Sequence, residues 1–335
     1  MQCSMDDETG TVPEPKKPTK DTSHVRTALI VEGGGMLGAW AIGALNALHE
    51  RGRDHFDLVV AASSGACSAA YFVAGMHEPA LEIWQRYVDG KKLLRKANWL
   101  HFKPMIDLTY LVDHLFRRKF PLPLKAFTNG TRFQIVLTDC HTGAPVYFTA
   151  LDERLFDALR ATASLPFATR GYWFVDRKPY ADGGIGDPIP IEHVLELGAT
   201  DITVILTHCS ADRIAPVPRL IARLAYPWYP KAAEAWANRH VRYASARTLL
   251  HHPPEGTRIR VLRPNKRLPM DRFTCDSNRL LNAIQFGREE ASRQLRSEDS
   301  SSASSPGPAP SLLDSRVAAP MVRDERDASV VIATN

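Results

Sequence analysis

The amino-acid sequence predicts an α/β fold with a mainly parallel central sheet and helices on both faces. Short apolar runs of strand length alternate with longer segments of helical periodicity, and the runs are apolar throughout, as strands covered on both faces are. The glycine-rich and small-residue turns follow directly on such runs, where open α/β sheets carry their sites.

Thr27 to Val31 reads as the first strand. Ala39 to Arg51 carries apolar residues at helical spacing and stops at Gly52, and Leu58 to Ala61 is a second strand leading into a helix from Gly65 to Ala74. The uncharged stretch from Leu58 to Met76 approaches the length of a membrane span. Its middle, Ser63-Ser64-Gly65-Ala66-Cys67-Ser68, is small and polar, so a buried strand and helix are the better reading. Further strands are expected at Phe133 to Leu137, Val146 to Phe148, Tyr172 to Val175, Ile202 to Leu206 and Ile259 to Leu262. Helices are expected at Glu153 to Ala163, Ile191 to Leu197, Lys231 to Leu250 and Arg279 to Gln294. Residues 1–24 and 297–335 lack apolar periodicity, so two disordered tails are expected around one folded domain over 25–296.

With 335 residues, 44% of them hydrophobic and 24% charged, the chain can bury a substantial core. A formal net charge of +5 suits an anionic membrane surface as well as it suits a nucleic acid, and nothing else in the sequence points to a nucleic-acid partner. Five widely spaced cysteines without a CxxC pair predict reduced, buried thiols and no zinc site. Met1 to Lys20 lacks the apolar stretch of a secretory signal, so a cytoplasmic location is expected.

Three motifs carry the chemistry. Glu32-Gly33-Gly34-Gly35-Met36-Leu37-Gly38 can aim backbone N–H groups at a developing oxyanion. Ala61-Ala62-Ser63-Ser64-Gly65 places Ser63 where a strand-to-helix elbow exposes a nucleophile, with Ala61 in the first glycine position of G-x-S-x-G. Asp182 precedes two glycines that permit positive φ and a close backbone approach, so its carboxylate can reach Ser63 and act as general base.

Three rivals were weighed. Gly33-x-Gly35-x-x-Gly38 also matches a dinucleotide fingerprint, but the acid such a site needs at the end of the second strand is absent; Asp57 lies at the wrong end. A Ser-His-Asp triad with His208 or His240 fits the chain order, yet neither histidine sits in a distinctive motif. The third is a non-catalytic lipid-binding or scaffold protein that keeps the fold, suggested by Leu37 and Ala61. Segments 91–99, 116–120 and 220–229 mix bases with aromatic and apolar residues, which suits peripheral binding to an anionic bilayer.

Together with Ala163-Ser164-Leu165-Pro166-Phe167 and Tyr180-Ala181-Asp182-Gly183-Gly184-Ile185-Gly186-Asp187-Pro188, these motifs resemble those of the patatin-like phospholipases over residues 26–210. Arg239-His240-Val241-Arg242-Tyr243 resembles the bacterial branch of that family. The resemblance implies a three-layer sandwich, a Ser63/Asp182 dyad, an oxyanion hole from Gly33, Gly34 and Gly35, and hydrolysis of lipid acyl esters without cofactor or metal. One position departs from the family pattern: the residue before the last glycine of the loop, usually basic, is Leu37.

Overall fold

A computed structural model describes residues 25–303, apart from 89–91, 102, 129 and 150. The expected tail over 1–24 lies outside the described residues, as does everything after Ala303. One compact unit ends at Leu295, and a second runs from Arg296; the described part of the second is helical.

The sheet has eight strands: β1 (Thr27–Val31), β2 (Leu58–Ala61), β3 (Arg132–Asp139), β4 (Pro145–Thr149), β5 (Trp173–Val175), β6 (Lys178–Asp182), β7 (Asp201–Ile205) and β8 (Arg258–Leu262). In the order β8-β7-β1-β2-β3 the neighbours are parallel, while β4 and β6 are antiparallel to β3, and β5 is antiparallel to β6. The mainly parallel sheet is thus as expected. β6 was not anticipated, because Lys178-Pro179-Tyr180-Ala181-Asp182 is short and holds a proline that reads as a breaker.

The helices are α1 (Gly38–Glu50), α2 (Ser63–Val73), α3 (His77–Arg86), α4 (Arg154–Thr162), α5 (Gly183–Gly186), α6 (Ile191–Glu196), α7 (Arg219–Ala225), α8 (Pro230–Ala237), α9 (Arg239–His251) and α10 (Ser277–Ala303). A wide π-type helix spans Tyr110–Lys119. The single helix expected from Lys231 to Leu250 is two, broken at Asn238, which leaves the helical path between α8 and α9. At the other end, α10 continues to Ala303, past the boundary expected at 296, although its outer residues are polar.

Alternation along the strands makes three layers. Leu29, Val31, Val59, Ala61, Ile135 and Leu137 face one core with α1–α4 and α10, whereas Ala28, Ile30, Leu58, Val60, Val136 and Val204 face another with α6 and α9. The central strands β1, β2, β3 and β7 bury both faces, which is why their sequences are mainly apolar.

Candidate active site

β2 ends at Ala61, and Ser63 opens α2. Ser63 has φ +52, the left-handed region that costs a residue with a Cβ of order 1–3 kcal/mol and is kept only where the surroundings enforce it. They do so here through Thr162, whose hydroxyl accepts the Ser63 N–H at 2.8 Å and donates to the Val136 carbonyl at 2.7 Å. The turn also needs glycine on both sides. A Cβ on Gly33 would lie 2.6 Å from the Ser63 Cβ, and one on Gly65 would lie 2.5 Å from the Glu32 carbonyl oxygen. The 11-residue α2 presents its positive dipole end to Ser63.

Asp182 reaches the same point from another strand. Residues 132–135 of β3 pair with β2 and residues 137–139 with β6, while β4 pairs with 134–138. Since a strand has two edges, β2 and β6 must share one, meeting end to end. With Ala61 opposite Ile135 and Asp182 opposite Leu137, the register brings the serine and the aspartate together.

Asp182 is buried. Its Oδ1 accepts the Gly184 N–H at 2.8 Å, capping α5, while Oδ2 makes no full hydrogen bond among the described residues. Burial is the largest influence on its carboxyl and pushes the pKa up; the Ser63 hydroxyl, Arg239, the Gly184 N–H and Arg272 act in the opposite direction without cancelling it. Capping α5 thus occupies only one of the two carboxylate oxygens. Gly183 and Gly184 do not adopt positive φ; of the two expectations only the close approach is realised, since a Cβ on Gly183 would lie 2.0 Å from the Val136 carbonyl oxygen.

The glycine loop follows β1. Gly35 has φ +58, and neither its N–H nor that of Gly33 has an acceptor among the described residues, whereas Gly34 N–H donates to Ser64 Oγ at 3.2 Å. Glu32, at the base of the loop, is buried. Its Oε2 accepts the Thr207 N–H at 2.7 Å and the Thr207 hydroxyl at 3.1 Å, and its Oε1 lies 2.9 Å from His208 Nδ1. Burial alone would raise its pKa, but His208, through charge and hydrogen bond, and then Thr207 and Arg239 together hold it below the ordinary value. His208 is thus bound to Glu32, and His240 Nδ1 faces the Ala237 carbonyl oxygen; neither is hydrogen-bonded to Ser63 among the described residues. Asp57 caps the N–H groups of Arg26 and Thr27, at the opposite end of the sheet from a nucleotide site.

Sequence reasoning missed the groups that clamp the aspartate loop. Arg239 Nε donates to the Gly184 carbonyl at 2.7 Å, and Arg242, one turn on, donates to the Gly186 carbonyl. The Thr138 hydroxyl donates to the Asp182 carbonyl at 2.7 Å and accepts the Gly186 N–H at 2.8 Å. The spacing of Arg239 and Arg242 on one face of a helix was visible in the sequence; their target was not.

Two cavities meet at Ser63. One is apolar and lined by Cys67, Tyr71, Ile83, Trp84, Leu111 and Phe116, with the Tyr71 hydroxyl and Trp84 N–H already bonded to Phe120 and Ser68. Burial pushes the Cys67 thiol up to about 12, with Asp182 adding to the shift, so it stays protonated. The other cavity has a largely apolar wall, with Met105, Leu165, Phe167 and Trp236, into which Asp182, the Gly33–Gly34 backbone, Arg239 and Arg272 bring polar groups. Such a site can bind an apolar chain and a polar group on opposite sides of one serine. Away from it, His49, Asp54 and His77 converge; His49 Nδ1 lies 2.9 Å from Asp54 and stacks on His77 at 3.6 Å.

Comparison with known proteins places these features. The chain is 28% identical over 186 residues to the uncharacterized protein YjjU of Escherichia coli K12, covering 54% of this chain and 52% of that one. It is 27% identical over 235 residues to an uncharacterized NTE family protein of Mycobacterium tuberculosis H37Rv, covering 68% of this chain and 59% of that one. The chain therefore spans little more than half the length of these relatives. The crystal structure of VipD from Legionella pneumophila aligns at 12% identity with a TM-score of 0.43, covering 82% of this chain and 67% of that one. A domain of unknown function (DUF6363) matches residues 229–299. The patatin-like phospholipase profile matches residues 29–195, which contain the glycine loop, Ser63 and Asp182, and over these residues the chain belongs to that family of lipid hydrolases.

Proposed function

We propose that the protein is a serine acyl hydrolase that cleaves fatty-acyl esters of lipids or phospholipids through a Ser63/Asp182 dyad. The observation that carries the reading is Ser63 in a left-handed elbow beside a buried carboxylate with a raised pKa, at the junction of an apolar cavity and a second one that holds Arg239 and Arg272. In this mechanism Asp182 Oδ2 accepts the hydroxyl proton as Ser63 Oγ attacks the ester carbonyl. N–H groups of the Gly33–Gly35 loop and the start of α2 stabilise the oxyanion. The proton returns from Asp182 to the leaving alcohol, and water, deprotonated by the same carboxylate, releases the fatty acid. The apolar cavity takes the acyl chain, at about 0.8 kcal/mol for each methylene buried.

Among the described residues no helix is long and apolar enough to cross a membrane. Peripheral attachment fits the surface: Leu220 and Leu224 on α7 and the neighbouring Trp228 are 71%, 67% and 81% exposed. Of the other two mixed segments, 116–120 buries Phe116 in the core and 91–99 buries Leu93 and Leu94, so 220–229 is the stronger lipid-facing candidate. Cys67, Cys140 and Cys209 are buried free thiols, which suits a cytoplasmic membrane surface.

Intact-mass analysis after exposure to an alkyl fluorophosphonate tests the reading. One adduct is expected on the wild-type chain, none on Ser63→Ala and a much slower one on Asp182→Asn. Absence of an adduct on the folded wild type would favour a lipid-binding protein without turnover.

A further inference from the structure

The second cavity, largely apolar in its wall, contains two guanidinium groups that the hydrolytic step does not consume. Arg239, at the start of α9, uses Nε on the Gly184 carbonyl, which leaves its terminal amino groups for the cavity. Arg272, in the loop between β8 and α10, has a contact of 3.5 Å from Nη2 to His208 Nε2. Neither arginine forms an ion pair within hydrogen-bonding range among the described residues; the one carboxylate of the cavity outside the dyad, Glu32, is already bonded to Thr207 and His208. The two cations also repel each other: burial and then Arg272 bring Arg239 down to about 10. Asp182 and Glu32 offset part of this charge, but Glu32 is bonded to Thr207 and His208 and Asp182 belongs to the dyad, so the pair keeps donors for an added anion.

Their position fixes where such an anion lies. The Arg272 carbonyl accepts the Met36 N–H at 3.2 Å, and a Cβ on Gly35 would lie 2.7 Å from the same oxygen, so Arg272 is pinned to the oxyanion loop. The loop itself has the buried, uncharged Leu37 before its last glycine. Both arginines come from residues 229–299, outside the patatin-like segment. Across Ser63, the opposite cavity is apolar.

We infer that Arg239 and Arg272 form a phosphate-binding subsite on the leaving-group side of Ser63, selecting acyl esters that carry a compact phosphate close to the scissile bond. The inference rests on the acyl-hydrolase reading and gives that site its substrate class. The downstream segment thereby returns to the cavity the positive charge that the glycine loop lacks.

The test uses the full-length Ser63→Ala protein, which binds without turnover, and isothermal titration below the micellar concentration. The expected result is at least tenfold tighter binding of a short-chain lysophosphatidic acid than of the monoacylglycerol with the same acyl chain, with the preference lost in Ser63→Ala/Arg272→Gln. Equal affinity for the two ligands overturns the inference, and needs no arginine variant. Inorganic phosphate alone is expected to bind far more weakly; if it matches the lysophosphatidic acid, the ligand is the free ion and the headgroup assignment falls. Circular dichroism melts of both proteins distinguish lost binding from lost folding. If the wild type takes the fluorophosphonate adduct while no phosphate preference exists, the subsite fails and the hydrolase reading stands. An absent adduct sinks the hydrolase reading, and with it the subsite.

Discussion

Asp182 shows how one side chain can be both costly and necessary. Its folded pKa lies above the ordinary carboxylate value of about 3.9, so its protonated form adds stability at low pH that is lost as pH rises through the folded value. Its Oδ2 makes no full hydrogen bond among the described residues, so the ionised form is costly in this setting. Asp182→Asn keeps the Oδ1 that accepts from Gly184 and is expected to melt no lower than wild type at pH 7 while losing about 10²–10⁴ in kcat. The wild-type rate should fall on the acid side at a pH above that of an ordinary carboxylate. A thermal melt beside a pH–rate profile checks both. Thr162→Val removes the acceptor of the Ser63 N–H with little change of shape; leaving that group unsatisfied costs about 1–3 kcal/mol. Its expected effect is a lower kcat at nearly constant KM, read from steady-state kinetics on a soluble ester. Ser63 and Asp182 were legible because strand ends, glycines and a small-residue turn are local patterns. Thr162 was not, since a threonine near the end of a helix carries no local mark of a partner 99 positions away.

At the scale of elements, prediction succeeded where burial is two-sided and faltered where pairing is non-local. β1, β2, β3 and β7 are mainly apolar and buried, and were placed to within a residue or two. β6 depends on the far half of β3 for its hydrogen bonds, and nothing in its own composition announces that. α8 and α9 read as one helix because helical propensity continues across Asn238. The break matters, since α9 then starts at Arg239 and lays Arg239 and Arg242 over the aspartate loop. α7 is the opposite case, an element with little to cover its apolar side. Replacing Leu220, Leu224 and Trp228 together by serine is expected to cut binding to phosphatidylglycerol-containing vesicles at least fivefold, measured by co-sedimentation, with melting temperature kept.

For the whole molecule, the patatin-like segment does not contain its own completion. β8 pairs with β7, Tyr243 and Ala246 of α9 fill the second core, and α10 packs on α1. A chain ending at residue 228 is expected to be insoluble or molten and to take no fluorophosphonate adduct, whereas one ending at residue 303 should retain both folding and labelling; size-exclusion chromatography and intact mass decide. This dependence was partly hidden in the sequence, where past residue 210 the resemblance rests on Arg239 to Tyr243 and a less specific pattern.

The contact between α1 and α10 is backbone to backbone: a Cβ on Gly43 would lie 2.1 Å from the Ile284 carbonyl oxygen, and one on Gly287 would lie 2.2 Å from that of Trp40. The helix that leaves the glycine loop is therefore seated only when a segment more than two hundred positions downstream arrives. At a ribosomal pace of about 5–20 residues per second, the nascent chain spends on the order of ten seconds or more with its first layer uncovered. The layer that covers α1 is therefore expected to close only after residues 277–295 have been made, well after the glycine loop and Ser63 have left the ribosome.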